Sequence, residues 1–101
     1  MIVVNGIINS TAEAIVANQA AIATMEAASQ AEPGCYDYTF SVELNNPNVI
    51  RITECWQDMA ALEAHFGMPH MAEFQAAMAA NPPTSVEVKF YEATEVTAPG
   101  R

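Results

Sequence analysis

The chain has 101 residues, half of them apolar, and a formal charge of −9: twelve acidic residues face only Arg51, Lys89 and Arg101. That length allows one folded core and no second, and that composition excludes a disordered chain. So acidic a chain repels phosphate backbones and has no basic amphipathic helix for anionic lipid, so neither nucleic acid nor a membrane is expected as a partner.

Met1 to Ile8 lack the charged start and the length of a secretion signal. No segment approaches the roughly 20 apolar residues of a membrane span, and the expected location is the cytoplasm. The same opening residues read as a first strand. They are apolar on both alternating faces, interrupted by Asn5 and Gly6, which suggests a strand covered on both sides. Asn5 is either satisfied by a neighbouring backbone or donates from a pocket to a developing oxyanion.

Ser10-Thr-Ala-Glu13 matches a capping box and predicts a long helix to about Gln30, with Ile15, Ile22 and Met25 on its apolar stripe. Glu32-Pro33-Gly34 ends it and turns the chain. Cys35 to Val42 reads as a second strand, with Tyr36, Tyr38, Phe40 and Val42 on one face. A turn is expected at Asn45 to Asn48, with Pro47 at its corner. A third strand follows, carrying Ile50, Ile52, Glu54 and Trp56 on one side. Closing this hairpin leaves Cys35 and Cys55 out of register by roughly 7 Å at about 3.3 Å per residue, so both are expected as free thiols.

Asp58 is a good N-cap for a short helix from Met59 to Phe66, and Gly67 is the expected left-handed terminator. Pro69 then restarts a helix through Met71, Phe74 and Met78. Asn81-Pro82-Pro83 breaks the chain, and Ser85 to about Val96 alternates as a last strand. The order β-α-β-β-α(α)-β is the split βαβ, ferredoxin-like plan: an α+β fold with a four-stranded antiparallel sheet and its helices on one face. We expect a single domain over residues 1–96 and a tail over 97–101. The uncovered sheet face, still apolar along the first strand, predicts a homodimer packed through its sheets.

The chemistry-bearing residues cluster around Trp56. A large aromatic ends the third strand just before two short helices that carry His65 and His70. Tyr36, Tyr38, Glu54, Phe66 and Phe74 are the substrate-contacting candidates. Each has a plainer reading. Trp56 fills cores as readily as it stacks on ligands; His65 suits a hydrogen bond to a carbonyl at the helix end; His70 suits the bend after Pro69. Glu54 is either buried with a raised pKa or paired with Arg51 or Lys89. No metal is expected, because the Gly67 to Pro69 break separates the histidines and no nearby carboxylate completes a set.

Gly34-Cys-Tyr36, Glu54-Cys-Trp56, Ala60-Ala-Leu-Glu-Ala-His65 and Pro69-His70-Met71 together resemble the antibiotic biosynthesis monooxygenase (ABM) domains, over nearly the whole chain from Met1 to about Glu92. The resemblance implies a dimeric α+β barrel. It also implies, for some members, oxygenation of electron-rich aromatics such as quinols and anthrones by molecular oxygen without a metal or flavin cofactor. Haem-degrading relatives carry an Asn on the first strand, a Trp on the third and a haem-ligating His on the last helix. Asn5 and Trp56 match the first two, whereas the third position falls at about Gln75. On chemical grounds a histidine, His65 or His70, suits the base because its unperturbed pKa is about 6.5, Asn5 suits a donor to the developing oxyanion, and Trp56 suits stacking on the substrate ring. The competing readings are a non-catalytic dimer that binds a small hydrophobic ligand, and a haem-binding or haem-degrading protein.

Overall fold

The computed structural model describes residues 1–100; Arg101, the end of the expected tail, lies outside them. Eight elements follow in order: β1 (Ile2–Asn9), α1 (Ala12–Ala17), α2 (Gln19–Gln30), β2 (Cys35–Glu43), β3 (Asn46–Trp56), α3 (Met59–Phe66), α4 (Pro69–Ala80) and β4 (Ser85–Glu92). The strands form one antiparallel sheet in the order β2-β3-β1-β4, the ferredoxin-like arrangement expected from the sequence.

Register decides which side chains meet the helices. Ile2 lies opposite Trp56, Val4 opposite Glu54, and Tyr38 opposite the same Glu54. Directly paired residues share a face, so Ile2, Val4, Ile8, Tyr38, Ile50, Ile52, Glu54 and Trp56 all point towards the helices, and all are buried. Gly6 belongs to this face; a Cβ there would stand 3.0 Å from Ile52 Cδ1. Ile2, Val4, Met25, Tyr38, Trp56 and Leu62 form one core cluster, and Ile8, Ile50 and Ile52 a second.

Several local expectations change. The long first helix is two, because Asn18 interrupts it and sends its side-chain amide to the Asn81 carbonyl at the end of α4, 3.1 Å away. Its N-cap is Thr11, whose hydroxyl takes the Ala14 N–H at 3.1 Å, so Ser10 and Glu13 do not form the expected box. The hairpin turns at Leu44-Asn45, one step early, and Pro47 lies within β3. Asn48 is held in place because its Oδ1 accepts the Ala12 N–H at 2.8 Å. A bulge between Cys35 and Asp37 takes Tyr36 out of the alternating row. Asp58 caps α3 as read, accepting from Ala61 N–H at 2.9 Å, and Pro69 opens α4. Gly67, however, has φ −94°, an ordinary right-handed value, so it is not a left-handed terminator. The last strand stops at Glu92.

The turn after α2 does need its glycine. Gly34 has φ +80°, and a Cβ there would lie 2.8 Å from Ala61 Cβ on α3. Left-handed backbone costs a residue with a side chain about 1–2 kcal/mol before that collision is counted.

Candidate functional site

A hollow of about 320 Å³ opens between the helix-facing side of the sheet and α4. Its walls are apolar, from Val4 on β1 to Phe74 and Met78 on α4 and Val88 and Phe90 on β4. At one end stand the titratable groups, Glu54 and His65, with Tyr38 beside them. A larger hollow of about 400 Å³ lies between α1–α2 and the β2 side of the sheet, but its one titratable residue, Glu26, is tied to the Phe40 N–H at 2.7 Å. The smaller hollow is therefore the one whose wall carries Glu54 and His65 together.

His65 is brought there by α3, whose eight residues start at the Asp58 cap and place Leu62 and His65 on the buried side. Only 1% of its surface is exposed. Nδ1 lies 2.6 Å from Glu32 Oε2, and the same oxygen lies 2.7 Å from His70 Nε2. A carboxylate only accepts, so the two nitrogens that face it are the protonated ones. In the neutral imidazole that tautomer puts the lone pair on Nε2, a buried atom that meets no hydrogen-bond partner among the described residues. An imidazole oriented through one nitrogen by a carboxylate and without a partner at the other has the polarity that proton transfer uses.

Glu32 was not singled out from the sequence, where it reads as the end of a helix. Backbone contacts pin it: its N–H donates to Ser29 O at 3.0 Å and its carbonyl accepts from Cys35 N–H at 3.2 Å. It also corrects the reason for expecting no metal. The break at Gly67 to Pro69 does not part the histidines, and Glu32, His65 and His70 place ligand-type atoms within 4.8 Å of one another. Their spacings of 2.6 and 2.7 Å are those of charge-assisted hydrogen bonds.

Trp56 is fully buried and does not line the hollow, so it cannot stack on an occupant as expected. It stands behind the two titratable groups. Its Nε1–H donates to Glu54 Oε1 at 2.9 Å, and its ring centroid lies 4.8 Å from that of His65. Neither predicted partner of Glu54 reaches it: Arg51 pairs with Glu43 at 2.7 Å and Lys89 with Glu87 at 3.2 Å. Burial, the larger effect, pushes the Glu54 carboxyl above its ordinary value; the Trp56 hydrogen bond and the nearby His65 act in the opposite direction. Burial, followed by the charge of Glu54, also raises the Tyr38 phenol. Burial, with Glu32 and Glu54 behind it, pushes the Cys35 thiol up to about 11, so this cysteine stays protonated at neutral pH.

The remaining candidates divide. Phe66 and Phe74 border the hollow, Phe66 at its mouth with a ring centroid 6.4 Å from Phe90. Tyr36, displaced by the bulge, is 62% exposed and outside it. His70 reaches Glu32 from the side away from the hollow and does not line it. Asn5 is a clear correction. It points from the opposite face of the sheet, exposed beside Arg51, Glu87 and Lys89, where it cannot meet an oxyanion held at His65. Cys35 and Cys55 are both free thiols, lying opposite Trp56 and Asp37.

Residues 1–77 match the family model described as antibiotic biosynthesis monooxygenase. A Deinococcus radiodurans protein assigned to the antibiotic biosynthesis monooxygenases has a similar structure, with a TM-score of 0.88 and 26% identity over 97% of each chain. A Nitrosomonas europaea protein of the same assignment shares the fold, with a TM-score of 0.87, 16% identity, and coverage of 94% of this chain and 100% of that one. An uncharacterised Synechocystis protein is 33% identical over 67 residues, 66% of this chain, and the chain spans 46% of that relative's own length. No helix among the described residues is long and apolar enough to cross a membrane.

Proposed function

This chain belongs to the antibiotic biosynthesis monooxygenase family, and from that premise we propose that it oxygenates a small electron-rich aromatic or enolisable compound without a resident cofactor. A fold hosts many chemistries, so the proposal rests on the site. The observation that carries it is His65: buried, 2.6 Å from Glu32 through Nδ1, unpartnered at Nε2, and on the wall of an apolar hollow.

Triplet oxygen reacts poorly with closed-shell molecules, but an anion can pass it one electron. His65 Nε2 takes the proton from an acidic C–H or O–H of the substrate. The resulting electron-rich anion reduces oxygen, and recombination forms a carbon–oxygen bond. For a methylene flanked by aromatic rings the balance is R₂CH₂ + O₂ → R₂C=O + H₂O. One oxygen atom enters the product and the other leaves as water. The protein's part is to supply the base, a donor for the developing oxyanion and a shielded apolar slot.

The test is oxygen uptake over a panel of anthrones and quinols, with product identified by mass. Consumption of one oxygen per carbonyl formed is expected for at least one compound. If the same compounds bind and none is turned over above the buffer rate, the protein is a hydrophobic-ligand carrier. Haem is the less favoured occupant, because Gln75 at the rim offers an amide where a haem ligand would be needed.

We also infer that a second copy covers the sheet's open face. Val3 and Ile7 of β1 are only half-buried there, and Tyr91 of β4, which pairs with Val3, is exposed beside them. Light scattering at micromolar concentration should give twice the chain mass, and a monomer mass at that concentration would refute the pairing.

A further inference from the structure

Glu54 is the one acidic side chain bordering the hollow, and the base reading of His65 leaves it without a task. It is 8% exposed. One oxygen, Oε1, is occupied by the indole N–H. Arg51 and Lys89 are engaged with other carboxylates. The groups facing Glu54 from the surrounding elements are Tyr38 and Cys35 on β2, Glu32 after α2 and His65 on α3. Of these only His65 can carry a positive charge, and its Nδ1 is directed at Glu32 instead. An ionised carboxylate held in such walls has no counter-charge and little water, and the neutral form is the one such a place stabilises.

We infer that Glu54 stands in the hollow as a neutral carboxyl, with its proton on Oε2, and that it is the hydrogen-bond donor facing the His65 acceptor. Trp56 fixes the pair, touching His65 with its ring and Glu54 with its N–H, and is thus a positioning residue. Together they specify an occupant with two adjoining features. One is an acidic O–H or C–H that Nε2 can accept. The other is a carbonyl or phenolic oxygen that takes the Glu54 O–H. An uncharged hydroxy-carbonyl aromatic has both. As Nε2 withdraws the proton, negative charge grows on the oxygen that Glu54 already addresses, so the donor acts where charge develops. This assignment builds on the base reading of His65, but the carboxyl's protonation is measurable without turnover.

Infrared difference spectra of the full chain, recorded against Glu54→Gln in the neutral pH range, are expected to contain a protonated-carboxyl C=O band that the variant lacks. Binding of a hydroxynaphthyl ketone, followed by Trp56 fluorescence, should weaken about tenfold per pH unit above the Glu54 pKa. In Glu54→Gln, whose amide remains a donor at every pH, that fall should vanish. Absence of the band, or the same pH profile in both proteins, overturns the inference whatever the activity. Should Glu54→Gln not fold, titrating the band in the unaltered chain decides the matter: a carboxyl band that disappears only above the ordinary glutamate range supports the assignment, and none there refutes it. Loss of turnover in His65 variants with the band intact would separate the two proposals.

Discussion

Replacing His65 by asparagine should lower kcat by about 10²–10⁴-fold, the range a positioned general base contributes. Asparagine carries its amide nitrogen where Nδ1 stands and can still donate to Glu32 Oε2, so the buried carboxylate that now lies 2.6 Å from Nδ1 keeps a partner. What the change removes is the basic Nε2, which makes no hydrogen bond among the described residues. Circular dichroism should be unaltered, so the loss would belong to chemistry and not to folding. Turnover within about threefold of the original would remove His65 from the mechanism. His70→Ala is a useful companion, because it strips the second imidazole from Glu32 while leaving the lining of the hollow unchanged.

The second large effect concerns stability. Trp56→Ala should cost about 3–5 kcal/mol, as truncation of a fully buried large aromatic does, against a total of about 5–15 kcal/mol for a domain of this kind. The indole has no exposed surface and packs with Ile2, Val4, Met25, Tyr38 and Leu62. At about 4–8 °C per kcal/mol for a chain of this size, thermal unfolding should shift down by at least ~12 °C. Trp56→Phe should lose less, since it keeps most of the packing and forfeits the N–H to Glu54. A calorimetric loss below about 1 kcal/mol for the alanine variant would mean that the indole does not anchor the core.

Much of the architecture is written locally. Asp58 and Pro69 mark helix starts by the chemistry of their own side chains, and both stand where the sequence puts them. The alternation of Ile50, Ile52, Glu54 and Trp56 announces one buried face, and that face is observed. Asn5 was misplaced for want of register. Its strand is apolar on both sides, so alternation separates two sets without saying which meets the helices, and only the pairing of Val4 with Glu54 and Gly6 with Ile52 decides it. Tyr36 was misassigned because a bulge shifts phase without altering composition. Glu32 escaped notice because its role is non-local: it meets imidazoles 33 and 38 residues further along the chain. The run Glu32-Pro33-Gly34 ending one helix, followed by two histidines on later helices of an otherwise histidine-free chain, was the available hint.

The glycine behind that carboxylate has a practical consequence for anyone wishing to retune the protein. Gly34 leaves no room between its own backbone and Ala61, so the segment carrying Glu32 and the helix carrying His65 abut with nothing adjustable between them. The spacing of acid and imidazole is thereby set by main-chain geometry, and libraries that mutate either contact would scramble the reactive end before altering preference. Diversity belongs at the rim away from His65, at Gln75, Pro83 and Val86, where new shapes can be tried without touching the acid and the imidazole.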